Sequence, residues 1–488
     1  MNRRRRKQIA FHDFPTGFTG ARIFPDNRWV QMSELMPWDL IDEKYAENFE
    51  GSKNGNVAVS SRVAFGALVI KQELNLSDED TVTMIRENPH CQYFLGFPEF
   101  TDKPPFDSSK MVAFRRRFPA EAMAEINEAI IQRQSKEDDS SSSDDDPPSN
   151  HGTLILDATC APADIHYPTD AGVLNDARKK SEHLIDVLHA RSGGGKKPRT
   201  YRQVARKNYL TLVRNKRPSF RLIRRTQRSQ LQYLRRNLGH LERMAETSPL
   251  TEKEQQMVDV LQKVYDQQQE MYTHRRRSVE HRIVSVSQPH IRPIVRGKLS
   301  ANVEFGAKLA LSLENGYARV EKLSFEAFNE STTLQESCER YKARNGYYPE
   351  RVLADKIYRT RKNLQYCAEH GIALNGPKLG RPPKDRRLYE FQKRIERQEA
   401  CERNAIEGKF GEAKRRYGLN RVMTRQSETS ASVIHLIMIV MNLKKSLRVL
   451  LLSFFQLWQR GCFWRPLAKY TSLCAGYSGV QLKCVFEQ

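Results

Sequence analysis

Three acidic residues have types and positions suited to the cleavage of a phosphodiester bond. Two of them, Asp157 and Asp355, each follow a short apolar run, at residues 154–156 and 352–354, which predicts that both lie at strand ends. Two divalent cations about 4 Å apart, held by carboxylates, can activate a water and stabilise the leaving oxygen of such a bond. A single Asp after a strand more often makes a turn or caps a helix. Two such residues are therefore weak evidence for a metal site unless a third carboxylate supports them.

Glu407 is the third candidate, and the residues around it predict a helix. Arg403 precedes it by four residues and Lys414 follows it by seven, so the three side chains share one helical face. A structural row of ion pairs is the commoner meaning of this spacing. Gly408 and Gly411 favour a functional role, since each costs about 1 kcal/mol relative to Ala and permits close approach of backbone or substrate.

The same residues carry a resemblance to a known family. The sequence resembles bacterial insertion-sequence transposases of the DDE type, in the group whose last motif spaces Tyr, Arg, Glu and Lys by two, three and six residues. Arg403, Glu407 and Lys414 match this spacing, whereas Ala400 stands where the family often has Tyr.

Further segments extend the resemblance over most of the chain. Residues 156–159, Leu-Asp-Ala-Thr, are similar to the family's first-aspartate motif. Residues 354–358, Ala-Asp-Lys-Ile-Tyr, are similar to its second, with Ile357 in place of the usual Gly. Residues 93–97 and 114–118 are similar to segments of the family's helical N-terminal domain.

The resemblance implies a DNA transposase that cuts the ends of an insertion sequence and joins them to target DNA. The implied catalytic residues, which are also the implied metal ligands, are Asp157, Asp355 and Glu407. The implied cation is Mg²⁺, with Mn²⁺ as a substitute. Implied DNA contacts are Arg403, Lys414 and Tyr358. The expected partners are double-stranded DNA, as element ends and as target, and a second copy of the chain in a homodimer on DNA, with no membrane.

Two other functions fit the same residues. A two-metal nuclease without strand transfer needs the same carboxylates, because water and a 3′ hydroxyl are activated alike as nucleophiles. A non-catalytic or decayed DNA-binding protein would keep its basic surface while its triad no longer closed. Metal-dependent cleavage and joining of DNA distinguishes these three functions.

The elements that must position these residues form a mixed α/β core. Apolar residues recur at every second position from 303 to 313, and Asn315 with Gly316 supplies the left-handed conformations of a tight hairpin turn. Further elements are two strands at 317–323 and 372–374 and a helix at 401–416. The resemblance makes this core ribonuclease H-like, with a long helical insertion and an all-α N-terminal domain before it.

Composition divides the chain into successive parts. Residues 135–150 combine Asp, Ser and Pro without a large apolar side chain, which predicts a flexible linker. A helical domain precedes this linker, and after it a basic insertion interrupts the catalytic domain. The predicted bounds are 1–134 for the N-terminal domain, 135–150 for the linker, 151–178 plus 286–450 for the catalytic domain, 179–285 for the insertion and 451–488 for a tail of unknown role.

Positive charge is concentrated in the insertion. Lys and Arg total 81 against 58 Asp and Glu, a formal charge of +23, which favours a polyanionic partner. From Val187 to Leu241 there are sixteen Lys or Arg and no Asp or Glu. A stretch of this length without acids repels itself unless it has a counter-charge, so DNA contact is favoured over a solvated helix face. The arginines predicted to contact DNA are Arg224, Arg225, Arg235 and Arg236.

The remaining signals concern location. The eight cysteines show no zinc-ligand spacing, and the basic start at residues 3–7 is followed by polar and turn-forming residues instead of an apolar stretch. Export is therefore not expected, and the resemblance implies a bacterial cytoplasmic, nucleoid-associated protein. Apolar segments at 433–443 and 447–458 are each shorter than about 20 residues, so they predict buried helices and no membrane span.

Overall fold

The computed structural model describes residues 23–49, 58–138, 150–193, 196–295, 303–376 and 385–459. Within them, seven helices precede the first strand: α1 Arg28–Leu35, α2 Trp38–Ala46, α3 Ser61–Leu74, α4 Asp78–Glu87, α5 Pro89–Phe94, α6 Lys110–Arg117 and α7 Ala120–Asp138. Strand β1, Thr153–Pro162, is followed by α8 Asp170–Arg191, α9 Arg202–Val213, α10 Phe220–Thr247 and α11 Glu252–His274. The remaining elements are β2 Arg292–Val295, β3 Val303–Glu314, β4 Tyr317–Ser324, α12 Leu334–Asn345, β5 Arg351–Ala354, α13 Arg361–Glu369, β6 Ala373–Leu374, α14 Arg386–Arg416 and α15 Ser427–Gln459.

The six strands form one mixed sheet. β3 pairs antiparallel with β1 on one side and with β2 and β4 on the other. β5 pairs in parallel with both β1 and β6. The turn between β3 and β4 is the predicted hairpin, with Asn315 at φ 50° and Gly316 at φ 76°. The mixed α/β sheet, with a helical insertion between β1 and β2, agrees with the ribonuclease H-like core that the sequence predicts.

The N-terminal helices and the sheet share one apolar core. Phe65 and Leu68 of α3 belong to the same buried cluster as Leu311 of β3 and Ile437 of α15. α15 joins the two parts, because it packs on α3, on α7 and on β4. The two predicted domains therefore do not have separate cores. The predicted linker also begins too early, since α7 continues to Asp138, and residues 139–149 lie outside the described residues.

Two buried asparagines fasten the N-terminal helices to the sheet. Asn442 of α15 donates to the backbone oxygen of Ala318 at 2.8 Å and accepts from the backbone N–H of the same residue at 2.9 Å. Its side chain also donates to Asn127 of α7 at 2.8 Å, and Asn127 in turn donates to the Ala318 oxygen at 3.1 Å. β4 is an edge strand here, so the N–H and carbonyl oxygen of Ala318 would otherwise be buried without partners. The two asparagines supply those partners.

The insertion is a helical bundle with a core of its own. Leu184 of α8, Leu234 of α10 and Leu261 of α11 belong to one buried cluster that is distinct from the core of the sheet. Thr251 and Glu254 form a capping box at the start of α11. The predicted boundary at residue 179 is wrong, because α8 is one continuous helix from Asp170 that packs on α10 and α11. The bundle therefore begins with α8.

The two apolar C-terminal segments lie on one helix. α15 runs through both, and the lysines between them have specific contacts: Lys444 Nζ lies 2.8 Å from Glu73 Oε1, and Lys445 lies 3.9 Å from the ring centroid of Tyr317. Within the part of the chain that the structure describes, no helix is long and apolar enough to cross a membrane. Of the predicted tail, residues 451–459 continue α15, and residues 460–488 lie outside the described residues.

Asn442→Ala is expected to lower the free energy of unfolding by about 1–3 kcal/mol. The substitution leaves the buried N–H of Ala318 without a partner and removes a side-chain partner of Asn127. Urea unfolding followed by circular dichroism measures the change. Gln232→Ala, at an exposed position of α10, is the control and is expected to leave the unfolding midpoint unchanged. Equal midpoints for the two variants would contradict the role of Asn442.

Candidate active site

Asp157 lies inside a strand. The sequence predicts a strand that ends at this residue, but β1 continues to Pro162 because it goes on pairing with β3 as far as Gly306. The parallel partner β5 pairs with β1 only up to Leu156, which lies opposite Ala354. Asp157 is therefore the first residue of β1 beyond its parallel neighbour.

Asp355 follows β5 directly, as predicted, and lies beside Asp157. The last parallel pair of residues immediately precedes both acids, and adjacent strands are about 4.8 Å apart. The Asp355 carboxylate accepts a hydrogen bond from the backbone N–H of Lys356 at 2.7 Å and so caps a short 3₁₀ turn. Asp355 is exposed, so this second carboxylate is open to solvent.

Helix α14 brings the third carboxylate to the same region. The helix packs on β1 and β5, and Glu407 is exposed on it. Arg403, one turn earlier, has one guanidinium nitrogen 3.8 Å from Asp157 Oδ2 and another 3.6 Å from Glu407 Oε1. A single arginine thus links an acid of the strand with an acid of the helix.

Burial raises the pKa of Asp157 to about 6. The desolvation of its carboxylate is the largest cause, and the nearby carboxylates of Glu330 and Asp355 raise the pKa further. The backbone N–H of Ala158, 2.8 Å away, and the Arg403 guanidinium act in the opposite direction. Asp157 therefore carries a carboxylate whose negative charge is incompletely neutralised by the protein.

The three acids have the donor chemistry of a divalent-cation site. Mg²⁺ prefers a few carboxylate oxygens together with water and substrate oxygens. Within the described residues, no group of three His, Cys, Asp or Glu side chains lies close enough together to hold a metal ion. The acids of β1, β5 and α14 nevertheless share one region, because Arg403 lies near both Asp157 and Glu407 and the charge of Asp355 acts on Asp157.

Glu330 is a further acid of this region that the sequence does not reveal. It begins a short 3₁₀ turn over Glu330–Thr333, and its carboxylate lies 2.9 Å from Lys308 Nζ on β3. Its charge acts on Asp157 and on Tyr358. No motif or periodicity marks this position, because only the pairing of β3 with β1 brings Lys308 and Glu330 close to Asp157.

Of the predicted DNA contacts near the acids, Tyr358 is contradicted by its burial, and Lys414 lies on α14. Tyr358 is 0% exposed within the cluster below the sheet, so its side chain is part of the core and offers no surface to DNA. Lys414 is half-buried on α14, two turns after Glu407. Gly408 faces open space, since a Cβ there would meet no atom within 4 Å, and no protein neighbour explains this glycine.

The arginines of α10 divide into two groups. Arg225 and Arg235, both predicted DNA contacts, are exposed. Arg224 and Arg236 are half-buried and lie over aromatic rings, 4.3 Å from the centroid of Tyr272 and 4.4 Å from that of Tyr201 respectively. Exposure also identifies two arginines that the prediction missed. The exposed row, which we call the α10 stripe, consists of Arg221, Arg225, Arg228 and Arg235.

Comparison with known proteins finds two transposase domains in the chain. A transposase DDE domain matches residues 352–444, and a transposase domain of the family DUF772 matches residues 19–117. An uncharacterized protein, ORF8 in the nfe locus of Rhizobium meliloti, is 26% identical over 187 residues, which are 38% of this chain and 84% of that protein. No solved structure matches the chain.

The matches and the fold define a class of enzyme, the DNA transposases of the DDE type, which cut DNA and transfer its strands with the help of divalent metal ions. The two matched domains indicate an insertion-sequence transposase of this type. The matched DDE domain includes Asp355 and Glu407, whereas Asp157 lies before it in the sequence. The finer motif group and the roles of individual residues remain predictions.

Asp157→Asn is expected to stabilise the folded protein at neutral pH. Because the folded pKa of about 6 lies above the ordinary value of 3.8 for an aspartic acid, ionisation of Asp157 destabilises the fold progressively between about pH 4 and pH 6. Asn keeps the shape without the charge, so above pH 7 the variant should gain on the order of 2 kcal/mol in unfolding free energy. Urea unfolding at pH 8 and pH 4 measures this gain, which should nearly vanish at the lower pH. A gain that is equal at both pH values would contradict the raised pKa.

Proposed function

We propose that Asp157, Asp355 and Glu407 hold the divalent cations of this transposase, with Mg²⁺ as the ion and Mn²⁺ as a substitute. The observation that supports this most directly is the position of Arg403, whose guanidinium lies within 3.8 Å of Asp157 and 3.6 Å of Glu407. The positive charge of the Arg403 guanidinium is therefore already stabilised between the carboxylates of Asp157 on β1 and Glu407 on α14. Asp355 adds the third carboxylate from the neighbouring strand.

The bound cations would supply an activated water and stabilise the leaving oxygen. Asp157 provides a rigid ligand, because β1 is paired on β3 and the Ala158 N–H fixes one carboxylate oxygen. Glu407, exposed on α14, can adjust its carboxylate to the substrate. When Arg403 leaves the carboxylates it can donate to a DNA phosphate, and Lys414 on the same helical face binds a second phosphate. These residues then constitute the Arg, Glu and Lys of the predicted motif.

The α10 stripe provides a second part of the DNA surface. Within the described residues none of its four arginines has an ion-pair partner, so their charges are available to DNA phosphates. The stripe belongs to a rigid helix whose other side is buried, so the charges keep a fixed spacing. We assign it to backbone contact and not to base reading.

A dimer follows from the reaction. An insertion sequence has two ends, and both must be held near one target for coordinated joining, so we propose that two copies of the chain assemble on DNA. The same binding to chromosomal DNA would place the protein on the nucleoid.

Glu407→Gln is expected to reduce Mg²⁺-dependent cleavage and joining of element ends by more than about 100-fold, since even the loss of an outer-shell partner of a metal site can cost that much. DNA binding measured by fluorescence anisotropy without metal should remain as in the natural chain. The rise in melting temperature that Mn²⁺ produces should shrink, because one carboxylate of the site is neutral. Gel assays with labelled ends and a target plasmid measure cleavage and joining separately.

The control for this variant is Glu390→Gln, which neutralises an exposed carboxylate on the same helix. It should cut, join and respond to Mn²⁺ like the natural chain. If Glu407→Gln also behaves like the natural chain, Glu407 is not a ligand. If the natural chain cuts but never joins, the activity is that of a nuclease.

Arg225→Ala with Arg235→Ala is expected to weaken DNA binding by about tenfold near 0.1 M salt and to reduce the slope of log K against log salt by about 2, one unit for each lost phosphate contact. The effect should be equal for element ends and for unrelated DNA, because phosphate contacts carry no sequence information. The control removes two exposed lysines from the acidic helix α11, Lys253→Ala with Lys263→Ala. Equal salt slopes in the two double variants would exclude the α10 stripe as a DNA-binding surface.

A further inference from the structure

A cleft with a volume of about 980 Å³ separates the helical insertion from the catalytic core. Its lining includes residues 163–169, which connect β1 to α8, and the first turns of α8. Residues 284–288 and the connection between α14 and α15 at residues 420–425 complete it. The three acids proposed to hold metal do not line this cleft, so it is a separate surface.

Two elements lead from the active site to this cleft. β1 runs from Asp157 to its end at Pro162, and α14 runs from Glu407 toward Val422. The two meet again there, because the Val422 N–H donates to the Pro162 oxygen at 2.8 Å and the Val422 carbonyl oxygen accepts from the Asp164 N–H at 3.0 Å. One end of the cleft is thereby fixed relative to the acids.

The separation along β1 has a definite length. The strand ends at Pro162, five residues after Asp157, which is about 17 Å at about 3.4 Å per residue. Duplex DNA rises about 3.4 Å for each base pair along its axis. DNA that follows this strand therefore reaches the cleft about five base pairs from the reacting phosphate.

The cleft carries an excess of positive charge. Four cationic side chains line it, Lys179, Lys180, Arg421 and Arg425. Two of them have acidic neighbours: Arg421 lies 2.7 Å from Asp164, and Lys179 lies 3.7 Å from Asp176. Lys180 and Arg425 are exposed and have no acidic partner in the described parts of the chain.

An exposed aromatic side chain stands among these charges. Tyr167 is 77% exposed, and its ring meets the ring of Phe305 only edge-on, with centroids 5.6 Å apart. One face of the tyrosine ring is therefore open. Cations interleaved with an open aromatic ring form a surface that suits a nucleic-acid backbone with its sugars and bases.

We propose that this cleft binds the sugar-phosphate backbone of the DNA that leads away from the active site, and this rests on the proposed function. The cations are distributed over two segments around a space much larger than one phosphate group. Such a distribution suits a chain of phosphates and provides no convergent donors for a single small anion. Lys180 and Arg425 are the principal contacts.

The experiment uses the full chain with Lys180→Ala and Arg425→Ala combined. Both side chains are exposed and without acidic partners among the described residues, so the melting temperature should match that of the natural chain. Anisotropy titrations with element-end duplexes that extend 2, 5, 8 or 12 base pairs to either side of the cleavage site measure binding. The natural chain should gain affinity once one side exceeds about five base pairs. The variant should not gain this affinity. On long duplexes it should therefore bind about tenfold more weakly than the natural chain, and its slope of log K against log salt should be smaller by about 2.

A second arm identifies the source of the DNA. Pre-cleaved ends are incubated with a target plasmid in Mg²⁺. If the variant loses affinity for long element ends, the cleft holds element DNA. If it binds ends normally but joins them to plasmid at least about tenfold less, the cleft holds target DNA. Either outcome supports the proposal.

The double variant Lys253→Ala with Lys263→Ala again controls for loss of two charges. If the variant with Lys180→Ala and Arg425→Ala binds and joins DNA like this control, the proposal that the cleft binds DNA is overturned. Failure of the proposed function is distinguishable, because a natural chain that never cuts DNA would still show the length-dependent binding that the cleft predicts. Absence of that length dependence in the natural chain, together with joining by the variant that equals joining by the control, also overturns the proposal.

Discussion

Strand β1 is paired on both edges, and the unequal length of the two pairings determines where the functional residues lie. β3 covers the whole strand, whereas β5 stops at Leu156, so Asp157 is held by a ladder on one side and open on the other. The packing that positions the carboxylate also buries and desolvates it, which is why its pKa rises to about 6. A buried acid of this kind destabilises the fold at neutral pH, and such a cost is understandable if the site receives cations, as we propose.

Features encoded by neighbouring residues could be predicted from the sequence, and features that depend on distant pairing could not. Ser77 caps α4, Thr251 and Glu254 form a capping box, and Asn315 with Gly316 turns the hairpin, because each requires only residues a few positions apart. The continuation of β1 beyond Asp157 depends instead on β3, about 150 residues later in the chain. Small and polar residues at 158–161 gave no local signal for that pairing.

The candidate site shows the same division. Spacing on one helix face identified Arg403 and Glu407, but nothing local could identify Glu330, which reaches the site only through the sheet. On α10, Leu231, Leu234, Leu238 and Leu241 recur at helical spacing, which predicts a helix but does not reveal all of its buried face. Thr226, Gln230 and Asn237 are buried there too, and their polar side chains do not appear in a hydrophobic pattern. The exposed arginines could therefore be chosen only once the packing of α8 and α9 was known.

The sixteen cations of residues 187–241 differ in whether an acid lies beside them. Two exposed arginines pair with acids from outside this acid-free stretch: Arg191 pairs with Glu254 of α11 at 2.6 Å, and Arg202 with Asp186 of α8 at 2.7 Å. Acids from neighbouring helices thus partly neutralise these two arginines, while the α10 stripe receives none within the described residues. The self-repulsion of the stripe is a cost that the isolated fold retains and that a polyanion relieves. DNA binding should therefore stabilise the insertion against unfolding, as any ligand that binds only the folded state does.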